Sequence, residues 1–382
     1  MTDTRRSILY LSGTRADFGL MRHTLFAIAA HPRLRLGIAA CGMHLEPAFG
    51  RTVDEIEATG LPLVARIPTD VTARDGAGMS RALAQTLLGM TAQLQRERPD
   101  LLLLLGDRGE MLAGAIAALH LGVPSVHLHG GERSGTVDEP MRHAISKLAT
   151  WHFAATEQSR ERLIAMGEEP GRVFVVGAPG LDDIDAARAA PREPMLRALG
   201  VDGKRPYVLV LFHPVVQQAE QAGAQTAELL RGLLDAGGGR DFDVVWLAPN
   251  ADAGSAAVLR QLDGLPGNWQ RHTHLPREVY LCALRDAAAL LGNSSSGIIE
   301  AASFATPVVN VGQRQQLRER NVGTVDVDAQ ARPIELALRA ALGASRGEPH
   351  NVYGDGRSAP RIAERLASLP LDAALLLKTN RY

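Results

Sequence analysis

Short apolar runs alternate with longer stretches of helical periodicity along almost the whole chain, and this alternation limits the available folds most. Continuous apolar runs are typical of strands in a parallel sheet that is covered on both faces. The first series of such runs covers residues 8–11, 34–40, 101–105, 124–128 and 173–176. Between them, apolar residues recur at helical spacing over residues 20–30, 79–98, 108–121 and 139–149. The sequence therefore predicts a doubly wound α/β sheet.

The same alternation starts again in the second half of the chain. A polar, proline-containing stretch at residues 182–206 precedes further predicted strands at residues 207–212, 243–248, 287–291 and 307–311. Residues 332–342 and 357–366 then predict terminal helices. A length of 382 residues is enough for two domains, each with its own core. We therefore predict an α/β protein with two Rossmann-like domains that face a cleft, where ligands bind at the carboxyl ends of the strands.

The charge balance argues against a polyanionic partner. The chain has 41 Lys plus Arg and 42 Asp plus Glu, so no overall positive field attracts nucleic acid. The polar start and the short first apolar run predict neither a signal peptide nor a membrane span, and hence a cytoplasmic location. Cys41 and Cys282 are far apart and show no CxxC spacing. We expect two buried thiols rather than a disulfide or a zinc site.

A glycine-bearing loop follows the first predicted strand. Its sequence, SGTRADFG at residues 12–19, places Arg15 and Asp17 where a helix begins. The N–H groups of the helix and the Arg15 guanidinium suit an anion. The structural alternative, a tight turn in which Asp17 caps the helix, explains the same residues equally well. No GK[ST] follows, so the loop is not a Walker motif.

A carboxylate and a guanidinium follow the predicted strand at residues 101–105. In GDRGE, at residues 106–110, Asp107 and Arg108 lie at a carboxyl strand edge. At such an edge Arg108 can hold a phosphate while Asp107 exchanges a proton with a sugar. The alternative is that Asp107 caps a helix and Arg108 is a surface residue.

The densest polar segment, residues 127–143, follows the next strand. It contains His129, Glu132, Asp138 and Arg142, and its glycines allow titratable groups to approach one another. Such crowding shifts pKa values apart, so that one carboxyl group serves as a base and another as an acid. Asp138 and Arg142 share a face of a predicted helix, although a plain surface ion pair explains them too. A metal site formed by the histidines of this segment is a further alternative, but their spacing is not diagnostic.

Polar residues also follow the predicted strands of the second half. His213, which precedes Pro214, is a candidate proton donor or phosphate partner, and a purely structural histidine fits the sequence equally well. Asn250 follows the strand at residues 243–248. It offers amide contacts to a ligand or caps the next helix.

The most informative pattern is GNSSSGIIE at residues 292–300. A turn of Ser294, Ser295 and Ser296 that opens a helix presents N–H and hydroxyl groups, which suits a diphosphate. Glu300 lies one helical turn later, where it can accept two hydroxyls of a ribose, and Arg314 follows the last strand toward the same anion. An ordinary cap around Ser296 is the alternative, but a cap needs one serine and not three.

Together these segments resemble the UDP-N-acetylglucosamine 2-epimerase family, in particular its hydrolysing branch, which makes N-acetylmannosamine for sialic-acid-type sugars. The resemblance covers nearly the whole chain. It rests on GTRADFG at 13–19, LGDR at 105–108, HGGE at 129–132, DExxRHAISK at 138–147, HPV from residue 213 and GNSSSGIIEAASFATPVVNVG from residue 292.

The resemblance implies a two-domain fold of the B-type glycosyltransferase kind (GT-B) and a nucleotide-sugar substrate. It implies domains at residues 1–180 and 181–360, and a C-terminal helix at residues 361–382 that returns to the first domain. In the implied reaction, UDP leaves as the C2 proton is removed, which gives a 2-acetamidoglucal. Water then adds at C1, and C2 is reprotonated on the opposite face. This route requires no cofactor, neither metal nor nicotinamide, and the family makes a homo-oligomer, dimer or tetramer, plausible.

The resemblance assigns the sugar chemistry to the first domain and the diphosphate to the second. Cleavage of the C1–O bond places charge on the diphosphate, and cationic and N–H groups stabilise that charge. The candidate catalytic residues are Asp107, Glu132 and Asp138, with Arg142 orienting them, and His213. The residues expected to bind UDP or the sugar are Arg15, Asp17, Arg108, His129, Asn250, Ser294, Ser295, Ser296, Glu300 and Arg314.

Two departures from the family pattern leave alternatives open. Some relatives carry a carboxylate at the position of His129, so either that role has passed to Glu132 or the base differs. Relatives often show HPVT where this chain reads HPVV at residues 213–216, which allows a UDP-2,4-diacetamido-2,4,6-trideoxy sugar or GDP-N-acetylglucosamine as the substrate. A non-hydrolysing epimerase, a retaining glycosyltransferase and a catalytically silent nucleotide-sugar sensor are the remaining alternatives.

Overall fold

The chain folds into two compact units, each described here by itself. The structure, a computed structural model, describes residues 4–72, 76–134, 138–249, 254–273 and 275–381. Unit 1 comprises Met1–Glu132, Asp138–Asp182 and Tyr353–Tyr382, and unit 2 comprises Arg133–Val137 and Asp183–Val352. The C-terminal segment therefore belongs to the same unit as the N-terminal half.

Unit 1 is built on a parallel sheet of seven strands in the order β3-β2-β1-β4-β5-β6-β7. The strands are β1 (Arg6–Ser12), β2 (Leu34–Cys41), β3 (Leu63–Ile67), β4 (Leu101–Leu105), β5 (Ser125–Leu128), β6 (Trp151–Ala154) and β7 (Val173–Val175). The helices that alternate with them are α1 (Arg15–Ala30), α2 (Val53–Ala58), α3 (Gly76–Glu97), α4 (Gly109–Leu121), α5 (Asp138–Leu148) and α6 (Glu157–Ala165). The strand order reverses between β1 and β4, so the carboxyl ends of these two strands flank a topological switch point.

Unit 2 repeats this architecture with six parallel strands in the order β10-β9-β8-β11-β12-β13. The strands are β8 (Tyr207–Leu211), β9 (Asp243–Leu247), β10 (Gln270–His272), β11 (Ala289–Gly292), β12 (Val308–Val311) and β13 (Thr324–Val327). The helices are α7 (Ile184–Ala189), α8 (Arg192–Leu199), α9 (Ala222–Ala236), α10 (Ser255–Leu262), α11 (Arg277–Asp286), α12 (Ser295–Ile299) and α13 (Ala331–Gly343). Here the switch point lies between β8 and β11.

The last helix, α14 (Ser358–Ser368), packs on unit 1. Its residues Ile362 and Leu366 are fully buried in the core cluster that also contains Ile28 of α1. The carboxylate of Asp182 accepts a hydrogen bond of 2.8 Å from the N–H of Ser358. The first N–H groups of a helix have no acceptor within the helix, and Asp182 supplies one. Apolar packing and this N-terminal contact together fix α14.

The central strands confirm the prediction of two parallel α/β sheets. β4 and β8 are buried at every position, because helices cover both faces of a doubly wound sheet. The two thiols, Cys41 and Cys282, are buried and unpaired, as predicted. Within the described part of the chain, no helix is both long enough and apolar enough to cross a membrane.

The sequence missed four of the described strands. The missed strands β3, β10 and β13 lie at the edges of their sheets, where partial exposure removes the continuous apolar signal. The other missed strand, β6, lies inside the sheet next to the edge strand β7 and has the sequence WHFA. Helix α1 begins at Arg15, in the glycine-bearing loop, before the apolar periodicity of residues 20–30 starts.

Candidate active site

Asp107 follows β4 at the switch point of unit 1 and forms an ion pair with Arg142 of α5. The Asp107 side chain is 25% exposed, whereas that of Arg142 is 2% exposed. Arg142 also donates a 3.0 Å hydrogen bond to the backbone carbonyl of Glu132. The guanidinium therefore lies behind Asp107, and the carboxylate is the member of the pair that a ligand can reach.

A second pair lies after β5, where His129 Nδ1 hydrogen-bonds to the carboxylate of Glu132. The His129 side chain is 15% exposed and that of Glu132 is 4% exposed. The pattern of the first pair recurs, with one accessible group and one buried partner. Because Arg142 binds the backbone of Glu132, the two pairs share a common support.

Two backbone features determine the conformation of the loop after β5. His129 adopts a left-handed conformation with φ of 61°, which is uncommon for a residue other than glycine, although histidine is enriched there. Gly131 has φ of +77°, and a Cβ on it would lie 2.1 Å from the carbonyl oxygen of Ser159. Only glycine fits this approach, so the second glycine of HGGE is a steric requirement.

His127 supports this loop from within the sheet. Its Nε2 lies 2.7 Å from the carbonyl oxygen of Gly106, and its Nδ1 lies 3.0 Å from the hydroxyl of Ser146. Burial lowers the pKa of His127 to about 3, so the ring is neutral near pH 7. Because a carbonyl only accepts, Nε2 carries the proton and Nδ1 accepts from Ser146. His127 is therefore a structural link to the backbone that precedes Asp107.

The loop after β1 shows the structural alternative that the sequence left open. Asp17 is 6% exposed and accepts hydrogen bonds from the N–H groups of Gly13 (3.0 Å) and Thr14 (2.7 Å). Thr14 and Asp17 form a complete capping box at the start of α1. Arg15 is about half exposed and pairs with Glu55 at 3.1 Å. The substrate contacts assigned to Arg15 and Asp17 stay predictions.

Arg108 lies at the start of α4 and pairs with Glu110 of the same helix at 3.3 Å. The N-cap is Arg108, so Asp107 does not cap α4. Glu110 is a polar residue that the sequence did not single out. A Cβ on Gly13 would lie 3.1 Å from its carboxyl carbon, and one on Gly42 would lie 3.2 Å from its Oε1. The carboxylate thus lies against the loops after β1 and β2.

In unit 2, His213 follows β8 and Asn293 follows β11, on the two sides of the switch point. The N–H of His213 donates to the Asn293 side chain at 2.7 Å, and the Asn293 amide donates to the His213 carbonyl at 2.8 Å. Arg314 donates to the backbone carbonyl of Asn293 at 3.1 Å. Asn293 therefore connects the loop at His213, the serine turn and Arg314. The sequence did not predict this role, because Asn293 stood beside three serines that drew the interpretation.

The charge state of His213 follows from its surroundings. Burial, together with the positive charge of Arg314, lowers the pKa of His213 to about 3. The imidazole is therefore neutral near pH 7 in this structure and is not a proton donor as an imidazolium. A bound anion would favour the protonated form.

The serine turn opens the short helix α12, and Ser294 rather than Ser296 is its N-cap. The hydroxyl of Ser296 donates to the Glu300 carboxylate and also contacts the Tyr280 hydroxyl. Arg277 forms a 2.8 Å ion pair with Glu300. Ser295 is partly exposed. Tyr280 and Arg277, which the sequence missed because they lie on another helix, hold Ser296 and Glu300 in place.

Two candidate residues lie outside what the structure describes. Asn250 is not among the described residues, and of Asp138 only the backbone, at the start of α5, is described. Their roles stay predictions. In the described part of the site, Asp107, Glu132, Arg142 and His129 come together in unit 1, and His213, Arg314, Ser294, Ser296 and Glu300 lie around Asn293, Tyr280 and Arg277 in unit 2.

Known proteins are similar to this chain over nearly its whole length. Residues 26–367 match the family model described as UDP-N-acetylglucosamine 2-epimerase. The UDP-N,N'-diacetylbacillosamine 2-epimerase (hydrolyzing) of Legionella pneumophila is 43% identical over 381 residues, which cover 99% of this chain and 100% of the relative. The UDP-N-acetylglucosamine 2-epimerase of Neisseria meningitidis is 31% identical over 365 residues, with 94% of each chain covered.

Solved structures share the fold. The crystal structure of UDP-GlcNAc 2-epimerase from Neisseria meningitidis bound to UDP-GlcNAc matches with a TM-score of 0.79, covering 94% of this chain and 99% of that chain. At 17% sequence identity this likeness concerns the fold alone. The GT-B-type fold that the sequence resemblance implied is therefore confirmed.

Proposed function

The chain belongs to the UDP-N-acetylglucosamine 2-epimerase family, and from that premise we propose that it is a hydrolysing 2-epimerase of a UDP-linked 2-acetamido sugar. The first candidate substrate is UDP-N,N'-diacetylbacillosamine, because the relative with that name is 43% identical along the whole chain. UDP-N-acetylglucosamine, which would give N-acetylmannosamine, is the second candidate, since a relative with that activity in its name is 31% identical.

The observation that carries the proposal is the Asp107–Arg142 ion pair beside the Glu132–His129 pair. The C2 proton of such a sugar is not acidic by itself, so its removal must accompany departure of UDP from C1 and needs a well-placed base. Reprotonation of C2 from the opposite face needs an acid. Two accessible proton-transfer groups with separate buried partners suit two such steps, whereas binding alone requires neither.

We assign the diphosphate to the unit 2 residues. Cleavage of the C1–O bond places negative charge on UDP, and fixed donors stabilise it without reorganisation. Arg314 supplies positive charge, and neutral His213 offers a hydrogen bond. The N–H and hydroxyl groups of the serine turn add further donors. Glu300, which Arg277 and Ser296 hold in place, is the proposed acceptor for the ribose hydroxyls.

Proton NMR in D2O tests the proposal, with UDP-N,N'-diacetylbacillosamine, UDP-N-acetylglucosamine and GDP-N-acetylglucosamine supplied separately. We expect release of the nucleoside diphosphate and a free sugar that is inverted and deuterated at C2, fastest with the diacetamido substrate. An epimer still linked to UDP would identify a non-hydrolysing epimerase instead. Transfer only in the presence of an acceptor alcohol would identify a glycosyltransferase, and binding with no turnover of any substrate would identify a sensor.

A further inference from the structure

We propose that His129 is the acid that reprotonates C2, and that Glu132 is a positioning residue behind it rather than a catalytic residue. This assignment rests on the proposed function. It reverses the roles that the sequence suggested, in which Glu132 was catalytic and His129 bound the substrate.

The relative depth of the two side chains carries the inference. Glu132 is 4% exposed and His129 is 15% exposed, so a ligand reaches the imidazole before the carboxylate. The Glu132 carboxylate is directed at His129 Nδ1, and the carbonyl of the same residue is held by Arg142. Within the described residues His129 makes no other side-chain hydrogen bond, which leaves Nε2 for the substrate.

The left-handed backbone of His129 is a second observation. A residue other than glycine is uncommon in this region, and such a conformation persists where the surrounding structure fixes the direction of the side chain. The backbone N–H of His129 still bonds to the β6 carbonyl of Phe153 at 3.1 Å. The chain therefore leaves the sheet at this residue, at the carboxyl strand edge where ligands bind.

The charges around each pair decide which group gives a proton and which takes one. Arg142 stabilises the ionised form of Asp107, so Asp107 begins the cycle as a base. The Glu132 carboxylate contacts Nδ1 of His129 and so orients the ring with Nε2 toward the ligand side, as a carboxylate does for a catalytic histidine. His127, which also interacts electrostatically with His129, is neutral near pH 7.

The two steps balance with these roles. In the first, Asp107 takes the C2 proton, the C–H electron pair forms the C1=C2 bond, and the C1–O pair leaves with UDP. In the second, His129 Nε2–H gives its proton to C2 on the opposite face, and water adds to C1 and loses a proton. Protonated Asp107 releases its proton and neutral His129 regains one. The net reaction consumes one water and yields UDP, the free sugar and one proton.

The ratio of 2-acetamidoglucal to free sugar among the released products tests the assignment. In His129→Asn the elimination should continue within about tenfold of the wild-type rate while sugar formation falls at least 100-fold, so the ratio rises at least tenfold. Asparagine tolerates a left-handed backbone and can still donate to Glu132. His129→Gln should show the same change, and Glu132→Gln should raise the ratio less. The ratio does not depend on the folded fraction, because misfolding lowers both rates equally.

His120→Asn is the control, since His120 is exposed in the last turn of α4, and it should leave both rates and the ratio unchanged. A ratio in His129→Asn that stays at the wild-type value, whether or not the rates fall, would overturn the assignment. Complete loss of UDP release would also overturn it, since elimination is assigned to Asp107. If the wild-type enzyme forms no C2-deuterated free sugar in D2O, the proposed function itself fails.

Discussion

At the scale of the residue, the buried guanidinium of Arg142 decides how Asp107 behaves. A charge that is 2% exposed is costly unless it is paired and hydrogen-bonded. The Asp107 carboxylate and the Glu132 carbonyl meet that requirement. The same pairing keeps Asp107 ionised and fixed in place, as a general base must be.

Replacing Asp107 by Asn should therefore separate chemistry from binding. The amide keeps an acceptor for Arg142 but cannot take a proton, so we expect kcat to fall about 10²–10⁴-fold. The dissociation constant of UDP, measured by isothermal titration calorimetry, should stay within about threefold, because the diphosphate is assigned to unit 2 residues. Asp100→Asn, at the opposite end of β4, is the control and should leave kcat unchanged. Equal losses of turnover and UDP affinity would contradict a purely chemical role for Asp107.

The sequence located the candidate residues better than it paired them. A polar side chain directly after a buried strand is visible from periodicity, and Asp107, His129, His213 and the serine turn all satisfy that rule. The pairing of Arg142 with Asp107 crosses 35 positions along the chain and depends on how α5 packs beside α4. Sequence spacing suggested the local partner Asp138, whereas the orienting role of Arg142 toward Asp107 came with the family resemblance. Contacts between elements, such as Arg277 with Glu300, leave no periodic signal at all.

At the scale of the element, α5 is fixed at its C-terminal end by Lys378. The ammonium donates to the carbonyls of Ser146 at 2.8 Å, Lys147 at 3.0 Å and Ala149 at 2.8 Å. The last carbonyls of a helix have no partner within it. A cation at this end also interacts favourably with the negative end of the helix dipole. Lys378 pairs with buried Glu168 at 2.6 Å as well. The C-terminal tail thus stabilises the helix that carries Arg142.

Lys378→Met should keep the aliphatic packing and remove these contacts. We expect a loss of roughly 2 kcal/mol in the free energy of unfolding, less than for a fully broken buried pair because Glu168 keeps His152 and Lys147. Denaturant unfolding followed by circular dichroism measures the change. Lys204→Met, at an 84% exposed side chain, is the matched control and should change stability by less than about 0.5 kcal/mol. Equal effects of the two substitutions would exclude a capping role for Lys378.

Most of the strands that the sequence predicted are uniformly buried, and the edge strand β7, with its exposed Val175, is an exception. A central strand such as β4 is buried on both faces and reads as an unbroken apolar run, whereas the edge strand β10 is a three-residue polar segment, QRH. Edge strands form because a neighbouring strand offers hydrogen bonds, and that neighbour is not visible locally. The start of α1 is fixed by the capping box of Thr14 and Asp17, which was one of the two explanations that the sequence allowed for Asp17.

At the scale of the whole molecule, the buried titratable groups make the fold sensitive to acid. Burial lowers the pKa of His127 to about 3. Burial alone would raise the pKa of Glu168, but its contacts with His152, Lys147 and Lys378 outweigh that effect and lower it to about 2. In both cases the unfolded chain binds protons at a higher pH than the folded chain does. Both groups therefore favour the folded state at neutral pH and lose that effect as the pH falls.

The contribution of His127 should vanish first, because an unfolded imidazole titrates near pH 6.5. The contribution of His127 to the free energy of unfolding is complete above pH 6.5 and is lost as the pH falls toward 3. The loss between pH 7 and pH 5 is about 2 kcal/mol. The melting temperature should therefore drop over this interval, before most carboxylates are protonated. In His127→Gln, which keeps a donor for the Gly106 carbonyl but does not titrate, the drop should be smaller by several degrees even if the variant is less stable at pH 7. Identical slopes of melting temperature against pH in the two proteins would mean that burial does not hold His127 neutral. The hydrogen bonds of His127 with Ser146 of α5 and with the Gly106 carbonyl before Asp107 would then require a charged ring.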